Sequence, residues 1–130
     1  MNQNLVLGKF SPLGIPVLRI AVAGLKLSWI EVNAIIDAGF EGFLVLPFKM
    51  EGVRNLAIID IQRIRFAYGT QKDRLVALVT VSLQEIQHSG LAIIEPESEE
   101  IIIGMQFLRT FNRGLIIMPL AHNVILPFES

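Results

Sequence analysis

The chain carries three aspartates, Asp37, Asp60 and Asp73, two histidines, His88 and His122, and no cysteine. Any acid–base chemistry therefore falls first to a carboxylate, and Asp37 stands apart from the other two. It follows the apolar run Val32 to Ile36, precedes Ala38-Gly39, and leads into a second apolar run, Phe43-Leu44-Val45-Leu46-Pro47. A carboxylate between two buried strands is costly to desolvate unless hydrogen bonds or a partner compensate. Gly39 supplies backbone freedom for a tight turn whose N–H groups face that carboxylate. On this pattern alone two roles stay open: an acid–base group, or a turn opener that bonds its own backbone.

Other chemistries have less to work with. Without cysteine, a disulfide scaffold and thiolate catalysis are excluded, and a metal site would have to lean on carboxylates, so no metal or cofactor is expected. His88-Ser89-Gly90 places a Ser beside a His, but sequence neighbours rarely have triad geometry, and a loop is expected there. There is no G-x-S-x-G elbow, no G-x-G-x-x-G fingerprint and no Walker-type Gly-Lys-Ser/Thr, so nucleotide chemistry has no support. With 12 acidic against 11 basic residues and a net charge of −1, the chain lacks the basic excess of a nucleic-acid binder. Arg63 and Arg65, and Arg109 and Arg113, read as solvated pairs, and Trp29 reads as strand packing.

The elements that must position Asp37 are short. Gly and Pro punctuate the chain often, and the segments between them are rich in Val, Ile, Leu and Phe, which is the pattern of an all-β fold. Strands are expected over Asn4 to Leu7, Pro16 to Ala23, Leu27 to Ile36, Phe43 to Leu46 and Ile58 to Phe66. Further strands are expected over Arg74 to Leu83, Leu91 to Ile94, Ile101 to Ile103, Leu115 to Met118 and Asn123 to Leu126. After Gly104 the spacing of Met105, Leu108 and Phe111 predicts one short helix, ended before Gly114. Glu95-Pro96-Glu97-Ser98-Glu99-Glu100 reads as a solvated loop. Ile35-Ile36-Asp37-Ala38-Gly39 and Ile101-Ile102-Ile103-Gly104 echo one another weakly, each an apolar strand end running into a Gly.

Size and hydropathy fit one domain spanning residues 1–130. At this length a chain buries about two-thirds of the surface its unfolded form exposes and needs no staple. The mean hydropathy of +0.57 and the 52% hydrophobic content are high, yet no apolar run approaches the ~20 residues of a membrane span. Met1 to Gly8 has no signal-peptide pattern, so a cytoplasmic protein is expected, with apolar surface for a partner to cover.

The stretch from Asn33 to Pro47, Asn-Ala-Ile-Ile-Asp-Ala-Gly-Phe-Glu-Gly-Phe-Leu-Val-Leu-Pro, resembles the active-site segment of retropepsin-like aspartic proteases, especially prokaryotic members with an apolar-apolar-Asp-Thr-Gly-Phe-x-Gly-Phe run ending in Leu-Pro. Ala67-Tyr68-Gly69-Thr70 resembles the family's flap turn. Ile102-Ile103-Gly104-Met105-Gln106-Phe107-Leu108 is similar to the signature before its C-terminal helix. The match runs from about Val17 to Pro127.

The resemblance implies a closed β-barrel with one short C-terminal helix, working as a homodimer on peptide or protein substrates. One Asp37 from each of two chains would form the catalytic dyad, with Ala38 and Gly39 in the active-site loop. Tyr68, Gly69, Thr70, Phe40 and Ile103 would contact the substrate. The terminal segments Asn4 to Leu7 and Asn123 to Leu126 would interleave between chains. One departure stands out: the family carries Thr or Ser where this chain has Ala38. That hydroxyl braces the partner's loop, and a net hydrogen bond contributes ~1 kcal/mol. Counted twice by symmetry, its loss implies a weaker dimer and low activity, or a non-catalytic dimerisation or peptide-binding module on the same fold.

Overall fold

The computed structural model describes residues 5–23, 29–66 and 68–129. The expected strand residues Asn4, Leu27 and Ser28, and Ala67 of the expected flap, lie outside the described residues. Within them the chain forms β1 (Leu5–Phe10), β2 (Pro16–Ala23), β3 (Ile30–Ile36), β4 (Leu44–Pro47), β5 (Ile58–Arg65), β6 (Gln71–Leu83), β7 (Ile86–Glu95) and β8 (Ile102–Ile103). Helix α1 (Met105–Thr110), β9 (Ile116–Met118) and β10 (Asn123–Pro127) complete it, with a single 3-10 turn at Val53–Asn55. No helix among the described residues is long and apolar enough to cross a membrane.

The strands form one sheet in the order β5-β6-β7-β4-β8-β3-β2-β1-β10-β9. Pairing of β2 with β6 through Ala21↔Ser82, Val22↔Val81 and Ala23↔Thr80 closes β2, β3, β8, β4, β7 and β6 into a six-stranded barrel. Closure removes the edges these apolar strands would otherwise expose. The core inside is built by alternation: on β2, Leu18, Ile20 and Val22 are buried while Arg19 points out. β4 is buried at all four positions, because β7 and β8 flank it and both its faces are covered.

β8 positions the site. It runs parallel to β3 with Ile35↔Ile102 and Ile36↔Ile103, and antiparallel to β4. The two echoed segments are thus neighbours in space. Directly after β8, Phe107 is wholly buried and its ring lies 5.4 Å from Phe43 and 4.6 Å from Phe111.

Several sequence expectations need correction. His88-Ser89-Gly90 is not a loop: β7 begins at Ile86, and the β6–β7 ladder runs back to Leu83↔Ile86 around Gln84 and Glu85, both with positive φ (49° and 71°). Gly90 sits mid-strand because the Phe43 ring covers it, 2.5 Å from where a Cβ would stand. Glu95 is not solvated either. Its side chain is 12% exposed and its Oε1 accepts the Arg74 Nε–H at 2.9 Å. Arg113 is 7% exposed, held where the chain returns from α1 to β10. Trp29 precedes β3 rather than lying in it and is 41% exposed.

Candidate active site

β3 delivers Asp37 to the rim of the barrel. Its backbone N–H donates to the Ile103 carbonyl at 3.0 Å, extending the β3–β8 pairing by one bond past the strand. The chain then turns: the Phe40 N–H donates to the Asp37 carbonyl at 3.1 Å, and the Gly39 N–H donates to Asp37 Oδ1 at 2.9 Å. The carboxylate is therefore oriented by its own loop, as an Asx-type turn does, and remains exposed. Gly39 does not use left-handed backbone freedom. What favours glycine there is proximity, since a Cβ would stand 3.2 Å from Asp37 Oδ1.

The loop is fastened from behind by α1. Gly104 offers no side-chain cap, so the first helical N–H groups need other acceptors, and the loop supplies them. Met105 N–H donates to the Phe40 carbonyl at 2.8 Å, and Gln106 N–H to the carbonyls of Glu41 and Gly42 at 3.2 Å. Arg109 of α1 reaches back to Glu41 at 3.3 Å. Loop and helix thus satisfy each other's backbone groups, which holds Asp37 against the barrel end without a side-chain cap.

The structure brings Asp37, Ala38, Gly39 and Phe40 together on this loop. Ile103 lies beneath it with no exposed surface, so it is floor rather than groove wall. Tyr68, Gly69 and Thr70 occupy a separate element, the tip of the β5–β6 hairpin. There Phe66 N–H donates to the Thr70 carbonyl at 2.8 Å and Gly69 N–H to the Phe66 carbonyl at 3.0 Å. Gly69 has φ +78°, which its glycine permits. Tyr68 is 98% exposed and free to meet a ligand.

Two recesses flank the loop, and sequence alone had no signal for either. One, of about 670 Å³, has Ala38 on its rim and Met105, Leu108, Arg109, Gly114 and Leu115 in its walls. The other, of about 410 Å³, lies on the side of Glu41, Gly42 and Phe43, with Gln62, Val76 and Leu91 opposite. The Glu41–Arg109 pair was also missed: the two residues are far apart in sequence, and only the loop-on-helix packing joins them.

A closed β-barrel in which an apolar strand threads between the strands flanking an Asp-x-Gly loop, followed by one short helix, is the retropepsin fold. Solved structures agree. A retropepsin-like aspartic protease from Rickettsia conorii superposes with a TM-score of 0.65 at 12% identity, over 97% of this chain and 92% of that one. The EIAV protease, complexed with an inhibitor, gives 0.60 at 14% identity over 83% of this chain and 98% of its own. No protein-family profile matches the sequence, and no curated protein matches it either. At these identities the likeness shows the fold.

Proposed function

We propose that this chain is one half of an aspartic endopeptidase, with Asp37 from each of two copies facing the other across a two-fold axis. The observation that carries the reading is the Asp37 carboxylate itself: exposed at a barrel rim, oriented by the Gly39 N–H at 2.9 Å, and seated on a loop anchored to α1. Solvent-facing and held in one orientation, it suits a group that meets a substrate better than one that only completes a core.

Two carboxylates a few ångströms apart share one proton, because both cannot ionise at that distance. The charged one takes a proton from a water as that water attacks the scissile carbonyl. The protonated one hydrogen-bonds the carbonyl oxygen, and the proton then passes to the leaving amine. No covalent intermediate forms. An extended peptide would lie as an added strand, with the Tyr68-Gly69-Thr70 tip closing over it and Phe40 beside it.

One observation favours a second reading, a non-catalytic dimerisation or peptide-binding module. Ala38 faces the 670 Å³ recess with no hydroxyl to brace a partner loop. Incubating the protein at high concentration with a peptide library from acid to neutral pH separates the two. Cleavage abolished by Asp37→Asn supports the peptidase. Binding without cleavage supports the module.

A further inference from the structure

Resting on the reading of the Tyr68-Gly69-Thr70 tip as the part that closes over a peptide, we infer that Glu97 is a positioning residue. Its ion pair with Lys72 latches the tip to the barrel, and the buried Arg74–Glu95 pair beside it is the fixed pivot from which the tip swings.

The hairpin needs such a tie because it outruns its sheet. β6 has β7 beside it from Val76↔Ile93 to Leu83↔Ile86, whereas residues 71–75 pair with β5 alone. A two-stranded ribbon is marginal in water, so side chains have to hold the tip against the barrel. The sequence supplies them in step. Two residues along both strands from Val76↔Ile93 come Arg74 and Glu95, and two further come Lys72 and Glu97. Both matches are made: Arg74 Nε donates to Glu95 Oε1 at 2.9 Å, and Lys72 Nζ to Glu97 Oε2 at 3.1 Å. Alternate carboxylates of the acidic run thus meet alternate cations of β6.

Burial sets the part each pair plays. Arg74 and Glu95 are nearly out of water, so parting them strands charge. The side chains of Lys72 and Glu97 are 41% and 68% exposed, so that pair is screened and opens readily. Glu97 has a second partner within reach. Arg74 Nη2 is buried without a hydrogen-bond partner and lies 3.9 Å from Glu97 Oε2, so a carboxylate released by Lys72 stays beside a cation. The Glu97 N–H donates to Glu95 Oε2 at 3.0 Å, which keeps it at the pivot. The Phe66 ring, at the start of the tip, lies 5.7 Å from Lys72 Nζ and 5.4 Å from the Arg74 guanidinium. The same acidic segment runs on into β8, whose Ile103 carbonyl accepts the Asp37 N–H. The latch is therefore anchored to the strand that seats Asp37.

Amide hydrogen exchange followed by mass spectrometry reads the latch with no substrate present. At low salt, Glu97→Gln should speed exchange across residues 64–73 about two- to fivefold, the range an exposed pair can shift. Lys72→Met should do the same, and the double variant should do no more than either alone. At about 1 M salt the wild type should rise to the level of the variants. Glu31→Gln, which breaks the comparably exposed Arg19–Glu31 pair, should leave that stretch unchanged. In cleavage, Glu97→Gln should raise peptide KM by a similar factor at low salt, leave kcat near wild type, and lose the difference at high salt. Exchange in Glu97→Gln equal to wild type at low salt, additive effects in the double variant, or a KM difference that survives high salt would overturn the inference. A wild type that cleaves nothing sinks the peptidase reading instead, and exchange still decides the latch.

Discussion

Gly104 lies directly against Phe40. A Cβ at position 104 would fall on the Phe40 carbonyl and stand 2.6 Å from the Gly42 carbonyl. These are backbone atoms of the Asp37 loop, so they cannot rotate away as a side chain would. Gly104→Ala is expected to lower stability by ~1–3 kcal/mol, as overpacking does, and to displace the Asp37 loop. Urea denaturation and peptide cleavage check it: unchanged values for both would mean that the loop is not seated on β8 and α1 as described.

Ala38→Thr restores a hydroxyl at the rim of the 670 Å³ recess. If Ala38 limits the dimer, sedimentation should show tighter association, by ~1–2 kcal/mol for two symmetric hydrogen bonds, and cleavage per chain should rise. Unchanged association and cleavage would show that the missing hydroxyl at Ala38 does not limit the dimer.

Arg74 and Glu95 form the least solvated ion pair among the described residues, 9% and 12% exposed at 2.9 Å. Burial by itself raises the Glu95 pKa, but the Arg74 hydrogen bond, the Glu97 N–H and the Arg74 and Lys72 charges outweigh it, leaving it below the ordinary 4.5. A lowered folded pKa means that the pair's contribution is complete above 4.5 and is lost as pH falls through the lowered value. Arg74→Ala strands a buried carboxylate and should destabilise by ~3 kcal/mol. Glu95→Gln should flatten the acid limb of a stability–pH curve measured by thermal denaturation. An unaltered limb would show that the pair is not what titrates there.

Tyr68 touches little of its own chain at 98% exposure. Tyr68→Ala should leave stability within ~0.5 kcal/mol and, with the hairpin tip closing over an extended peptide as proposed, raise KM for peptide. Equal KM values would remove Tyr68 from the substrate site.

Much of the fold was legible because the barrel strands carry their burial in their own pattern. Ile20 and Val22 alternate with outward residues, and Met105, Leu108 and Phe111 recur at helical spacing. What stayed hidden depended on partners distant in sequence. Gly90 reads as a loop glycine until the Phe43 ring is seen lying on it, and Gln84-Glu85 make a positive-φ turn that residue type does not announce. Glu95 and Arg113 read as solvated charges until Arg74 and the Leu126 carbonyl take them inside. The Asp37 loop was marked by its Asp-x-Gly pattern. Its attachment to α1 was not, because those bonds run through backbone carbonyls of Phe40, Glu41 and Gly42 and leave no trace in side-chain identity.

Asp37→Asn is nearly isosteric, keeps an oxygen to accept the Gly39 N–H, and removes the charge a dyad needs to activate water. Peptide cleavage should therefore be measured for both proteins across protein concentration at acid and neutral pH. The wild-type rate should rise more than linearly with concentration and the Asp37→Asn rate should stay at background, with fold and dimer unchanged. Cleavage that survives in Asp37→Asn would contradict the dyad.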